Sequence, residues 1–513
     1  MCADGGACPG DFDVVSIQGF QVAQNVDGHG EQPAALAVPI EIAAPGTTLA
    51  LADTAYLGRL EFDRGPLATP APSDGGTLVA ALSNAADDFR NRIGIVSLAD
   101  TSATPGALDA ASYQLQHGAA DFQGDVCGLI PGGGALYAIG IDNDGAHVFE
   151  LSGTTGLQTS VSPIVTMPPD DPLDPTTYPW PCRGVYASVG GVEHLYLVQF
   201  KGAGSLDTSR PAPFYDVDLS AGTVGIPFGD TDVAFRGIAV DDAHLMVVDM
   251  SWSTYAVNNL PMPENRVFVL TRDGTGHVTG VSGVIDTGTT SDEQCDSNLH
   301  WPSGLAMETI DGEARVLVGH DGGVASFAAA DGAPRDTLDL ARFGRLFSQL
   351  EPSRDGTRLY ALPQCKAINS GETFELPYGA GTEAADTNLV AILDTTGADL
   401  AVATTDIDID DDGTPDHGID LDYYHLKRYI RGHGTTLPIP PVVFTGPQLV
   451  VGEHLMVLRG SGIQGNGADA VSSSGLGQVQ DLGVFDLATG RGVVYGDYVP
   501  WLDGLSAEAG AGG

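Results

Sequence analysis

Five carboxylates fall within nine residues of this chain, at Asp408, Asp410, Asp411, Asp412 and Asp416, around Gly413. Acids at alternate positions of a loop turned sharply by glycine set several hard oxygens around one point. A calcium ion, with about six to eight oxygen ligands, requires that arrangement. Asp408, Asp410 and Asp412 would ligate through their side chains, Thr414 through its carbonyl, and Asp416 directly or through water. The twelfth loop position is Ile419, with Asp420 one step later, so the bidentate glutamate of a signalling loop is missing. The expectation is a structural calcium. The competing reading, a solvated acidic turn, leaves five like charges repelling one another without a cation.

Other chemistry is sparser. The stretch Asp422 to Arg431 is a basic-aromatic cluster containing Tyr423, Tyr424 and Tyr429, which local packing explains more simply than ligand stacking. Twelve histidines are scattered without i, i+4 pairing, and the eight-residue spacing of His417, His425 and His433 is not a ligand signature. There is no G-x-S-x-G elbow, no H-E-x-x-H, no P-loop and no C-x-x-C-H in the sequence. The motifs therefore assign no reaction.

The elements that must position these residues are short strands. Period-2 apolar patterning, as in Ala135-Leu136-Tyr137-Ala138-Ile139, Leu195-Tyr196-Leu197-Val198 and Val267-Phe268-Val269-Leu270, is bounded mostly by Gly, Asp, Asn or Pro, the residues of tight turns. With 69 Gly and 32 Pro, long helices are disfavoured. A looser phrase recurs: a glycine followed by two or three apolar residues, at Cys127-Gly128-Leu129-Ile130, Arg183-Gly184-Val185-Tyr186, Arg236-Gly237-Ile238-Ala239 and Ser303-Gly304-Leu305-Ala306. Each copy leads through a turn into a second strand. Four strands at a period of about 50 residues are the signature of propeller blades.

The fold expected is therefore an all-β, seven-bladed β-propeller with four-stranded antiparallel blades, counted from starts near 76, 126, 182, 234, 300, 350 and 440. Glycine near each innermost strand is expected because those strands crowd a narrow channel. The expected layout is a tether and leading strand over 1–32, a propeller over 33–500 with a calcium-loop insertion at about 404–436, and a flexible tail over 501–513. The apolar segment before Phe62 is expected to give the last blade its outer strand, closing the ring and removing a sheet edge. Arg183, Arg236, Asp296 and His300 are then expected at one mouth of the channel, where an anionic small molecule or a metal would bind. The alternative for each arginine is a simple ion pair with a neighbouring carboxylate.

Trp301-Pro302-Ser303-Gly304-Leu305-Ala306-Met307, with the strands that follow, resembles a blade of NHL-type or gluconolactonase-like propellers. Glu351-Pro352-Ser353-Arg354-Asp355-Gly356-Thr357-Arg358-Leu359-Tyr360 is similar to the hairpin of YVTN-type repeats in bacterial surface proteins, and the acidic loop resembles thrombospondin type 3 calcium loops. The resemblance implies a ligand- or protein-binding propeller. An alternative is a calcium-dependent hydrolase of the lactonase type, with the ion in the channel among acid and amide side chains.

Charge and cysteines bear on partners and compartment. The 67 acidic against 22 basic residues give a net charge of -45, which repels nucleic acid and anionic lipid surfaces. Six cysteines lie too far apart for a zinc ribbon. Disulfides are expected, with Cys127 to Cys182 and Cys295 to Cys365 as nearest-neighbour pairs, six buried thiols being the alternative. Met1-Cys2-Ala3-Asp4-Gly5-Gly6 resembles the start of a mature bacterial lipoprotein, although pairing of Cys2 with Cys8 is an equal alternative. The expected protein is an extracytoplasmic monomer, secreted or held on the outer membrane or cell surface by lipid at Cys2, with calcium as cofactor and an unidentified protein or small molecule as ligand.

Overall fold

The computed structural model describes chiefly residues 109–142, 144–167, 183–198, 212–230, 235–249, 266–288, 304–320, 322–341, 345–353, 355–365 and 389–407, together with short strands elsewhere between 36 and 496. Among the described residues there is no helix, and seven sheets of four or five antiparallel strands follow one another along the chain. Sheet one comprises Leu67–Ala68, Thr77–Asn84, Phe89–Ser97 and Asp109–Gln114; sheet two Asp125–Gly132, Ala135–Asp142, Gly145–Ser152 and Val165–Met167. Sheet three comprises Arg183–Val189, Val192–Val198, Ala212–Asp218 and Thr223–Asp230; sheet four Phe235–Val240, Leu245–Asp249, Arg266–Arg272 and Val278–Asp286. Sheets five, six and seven open with Leu305–Ile310, Arg345–Pro352 and Gln448–Val451.

Within each sheet the strands lie essentially in sequence order, and the opening strands of successive sheets adjoin. Leu67–Ala68 of sheet one adjoins Gln448–Val451 of sheet seven, so the series returns on itself around an axis. This is the β-propeller arrangement. Leu36–Val38 pairs antiparallel with Gly492–Gly496 as the fifth strand of sheet seven, so the early chain covers that sheet's outer edge, the place expected for it. One start differs: sheet one opens at Leu67–Ala68, and Thr77–Asn84, read from sequence as an opening strand, is its second.

The core lies between sheets. On Ala135–Asp142, Leu136 and Ala138 pack toward Ile93 of sheet one, while Tyr137, Ile139 and Ile141 pack toward Leu195, Leu197 and Val217 of sheet three. Alternate side chains thus feed two interfaces, which is why the central strands read as continuous apolar runs rather than as apolar-polar alternation. The recurrent glycines have two physical causes. A Cβ on Gly184 would press on Leu197 and on Ile130 of sheet two, and one on Gly304 would meet the Phe347 carbonyl oxygen of sheet six at 2.7 Å. Gly128 and Gly237 instead follow register shifts in the opening strands of sheets two and four, where a bulge bends the strand.

Cys127 is buried between sheets two and three, and Cys365 ends the second strand of sheet six. Cys2, Cys8, Cys182 and Cys295 lie outside the described residues.

Two substitutions and one control test this packing in urea unfolding. Leu197→Ala, at a fully buried inter-sheet position, is expected to cost about 2–5 kcal/mol. Gly184→Val is expected to cost about 1–3 kcal/mol through overpacking, whereas Val284→Ala on the outermost strand of sheet four should stay within about 0.5 kcal/mol.

Candidate metal centre

The link between sheets one and two carries its own two-stranded ribbon, Gln116–His117 paired with Ala120–Asp121 and turned at Gly118, whose φ is +69°. Side chain and backbone hold this ribbon against the far end of sheet two. The Gln116 amide donates to Gln158 Oε1 at 2.8 Å, Gln158 Nε2 donates to the Gln116 carbonyl at 2.9 Å, and the Gly118 amide donates to the Val161 carbonyl at 2.6 Å. His117 is thereby suspended over the hairpin joining the second and third strands of sheet two.

That hairpin supplies the other two groups. Asp142 ends the second strand and accepts the Asp144 amide at 2.8 Å, closing the turn. His147, on the third strand, lies opposite Gly140 on one side and Thr166 on the other. Its ring, 1% exposed, packs against Phe122 and Phe149 and sits 4.6 Å from the His117 ring. Gly140 leaves room for these aromatics, since a Cβ there would meet Phe122 at 2.7 Å.

His147 Nε2 stands 2.8 Å from Asp142 Oδ1, and His117 Nδ1 stands 3.9 Å from Asp142 Oδ2. Ligating atoms of all three residues fall within 4.8 Å of one another. The second nitrogen of His147 lies 3.0 Å from Thr166 Oγ1, a hydroxyl that can donate or accept, so the ring can turn a lone pair inward in either environment. Burial pushes the Asp142 carboxyl up, but hydrogen bonds from the His147 ring and the Asp144 amide, with both imidazoles nearby, outweigh it and hold the group below the usual carboxylate range.

Two imidazoles and one carboxylate suit zinc or a neighbouring divalent transition ion and do not suit calcium, which prefers oxygens. His117 and Asp142 are partly exposed, so the fourth coordination direction faces solvent, as in centres that also take water or a ligand. A second group of the same composition, His194, Asp216 and His277, gathers between sheets three and four.

Neither group had a local signature. His117 and Asp142 are 25 positions apart, and Asp142 and His147 span a hairpin, where the i, i+4 helix criterion does not apply. The one local hint was Asp142-Asn143-Asp144-Gly145, a turn followed within one residue by His147. Of the residues expected at the channel mouth, Arg183 opens sheet three and is half-buried, and Arg236 lies on the opening strand of sheet four. Asp296 and His300 lie outside the described residues, as do Asp408, Asp410, Asp412, Thr414 and Asp416 of the acidic loop. That loop falls between Ala401–Val402 and Gly418–Asp420, both of which join sheet six.

No family model matches this sequence, and no curated protein matches it. Several solved structures are similar to it at low identity. The dihydro-haem d1 dehydrogenase NirN is 8% identical, with 91% of this chain and 73% of that chain covered at a TM-score of 0.40. A hypothetical selenium-binding protein from Sulfolobus tokodaii is 11% identical over 66% of this chain and 80% of its own, with a TM-score of 0.38. A gluconolactonase from Xanthomonas campestris is 15% identical over 64% and 95%, with a TM-score of 0.33. These similarities transfer no residue role to this chain.

One acid elsewhere has an unusual environment. Glu308, on the opening strand of sheet five, is pushed by burial up to about 7. Its raised folded pKa means the unfolded chain ionises first, so stability falls as pH rises from about 4.5 to 7 and then levels off. Glu308→Gln is therefore expected to raise Tm at pH 8 relative to the unsubstituted chain and to leave it nearly unchanged at pH 4, as read by thermal melts at the two values.

Proposed function

We propose that this chain is a seven-bladed, ligand-binding β-propeller in which a zinc-type divalent ion, held by His117, Asp142 and His147, supplies the ligand contact. The convergence of three ligating side chains on one half-open point carries this reading. Phe122 and Phe149 line the inner side of the group, and a low-dielectric wall strengthens attraction between the ion and an anionic or carbonyl oxygen arriving from solvent. The ligand class is a small molecule bearing such an oxygen.

The acidic loop from Asp408 to Asp416 adds a structural calcium stiffening the insertion in sheet six, a reading that rests on its sequence pattern. An exported location, with lipid or a disulfide at Cys2 and disulfides Cys127 to Cys182 and Cys295 to Cys365, rests on the cysteine spacing and the opening residues.

Two add-back experiments on chelator-stripped protein separate the ions. Co2+, followed by its visible absorption band, should bind at one fewer equivalent in His147→Ala than in the unsubstituted chain, and an unchanged titration would remove the proposed centre. Calcium should raise Tm in a manner abolished by Asp410→Ala and indifferent to His147→Ala; a melt unaltered by calcium refutes the loop assignment.

A further inference from the structure

The group between sheets three and four is built differently from the half-open centre. His194 sits on the second strand of sheet three with a fully buried side chain, and Asp216, 4% exposed, lies on the adjacent third strand. His277 comes from the neighbouring sheet, at the end of the turn that leads into Val278–Asp286. That turn is shaped in advance: the Asp273 carboxylate accepts the Thr275 amide at 2.8 Å and the His277 amide at 3.1 Å. Gly276, at φ +96°, passes so close over His194 that a Cβ would lie 2.8 Å from its ring.

Each histidine of this group presents its Nδ1 to an oxygen of Asp216 and turns its Nε2 outward. His194 Nδ1 faces Asp216 Oδ1 at 2.8 Å, while its Nε2 faces the Thr275 carbonyl at 2.8 Å. A carbonyl only accepts, so Nε2 carries a proton, and Nδ1 meets the carboxylate through a second proton or through a metal ion. His277 Nδ1 lies 3.3 Å from Asp216 Oδ2, and its Nε2 lies 3.7 Å from Asp218 Oδ2. Asp216 Oδ2 also accepts the Val278 amide at 2.9 Å, which fixes the carboxylate plane. Lone pairs and carboxylate oxygens aimed at one another in a buried space require a cation between them.

We propose that His194, Asp216 and His277 bind a zinc-type divalent cation that clasps sheet three to sheet four. With both rings neutral, Asp216 and Asp218 leave a charge of two minus, which one divalent ion neutralises. Ligating atoms within 4.8 Å of one another need only small side-chain rotations to reach the spacing of about 3.3 Å set by tetrahedral bonds of about 2.0–2.1 Å. The Thr275 carbonyl is the outer acceptor that holds the His194 ring in the ligating tautomer, and the Asp218 carboxylate, 3.7 Å from His277 Nε2, favours the same tautomer of that ring through its charge. Half of the His277 side chain is exposed, giving the ion a way in and a water as fourth ligand. Asp218 acts as a positioning residue. The competing occupant is a proton on each ring, which satisfies the same carboxylates and binds no metal.

The test uses the full chain, chelator-stripped and held in excess calcium, and counts bound zinc by dialysis and elemental analysis. In the H117A/D142N background, which disables the half-open centre, one equivalent of zinc should bind and raise Tm. Asp218→Asn in that background should weaken it by about 10- to 100-fold. His277→Ala, at an exposed position, should abolish it with the circular dichroism spectrum unchanged. In the unsubstituted chain the same H277A change should lower stoichiometry from two to one. No zinc in H117A/D142N, or an equivalent that survives H277A, overturns the clasp. A single equivalent in both the unsubstituted chain and H117A/D142N, abolished by H277A in each, would overturn the half-open centre and leave the clasp standing.

Discussion

Among the described residues, sheets two to five each bury both of their faces, and much of the structure follows from that constraint. A sheet buried on one face needs only alternate apolar residues; one flanked by two others needs apolar residues on both sides of each central strand. Strands such as Ala135–Asp142 and Leu245–Asp249 meet that need, while the outermost strand of sheet four, Val278–Asp286, is largely exposed. Opening strands converge most closely, so Gly184 and Gly304 stand where side chains would overlap the next sheet.

Buried polar groups appear where hairpin ends of neighbouring sheets meet. Arg315 of sheet five, 6% exposed, donates to Asp336 at 2.7 Å and to Glu313 at 3.1 Å. It also reaches the Ala398 carbonyl at 2.9 Å, beside sheet six. Asp336 accepts the Leu400 amide as well, at 3.3 Å. His194, Tyr196 and Asp216 play the same part between sheets three and four, the Tyr196 hydroxyl donating to the Gly276 carbonyl at 2.5 Å. Such contacts fix the rotation of one sheet on the next, which apolar packing alone specifies weakly.

The charge balance explains who the partners are. With 22 basic residues against 67 acidic ones, basic partners are outnumbered about threefold, and among the described residues histidine pairs with Asp142, Asp216 and Asp241. Imidazole differs from guanidinium in that it can surrender its proton and offer a lone pair. Pairing carboxylates with histidine therefore leaves groups such as His117, Asp142 and His147 whose atoms could ligate a metal, where arginine would leave a salt bridge.

The sequence by itself determined the strand-rich, turn-rich fold, because periodic apolar runs and bounding glycines are local properties of the chain. The Gly-led phrases located the opening strands of sheets two to five for the same reason. It misplaced the start of sheet one, whose opening strand of only two residues leaves no periodic trace. Only the tertiary structure decided which histidines meet which aspartates. His277 reaches Asp216 across 61 positions and two sheets, and His117 reaches Asp142 through a ribbon docked by Gln158. Such encounters depend on register between strands and on the angle between sheets, quantities that no stretch of neighbouring residues encodes.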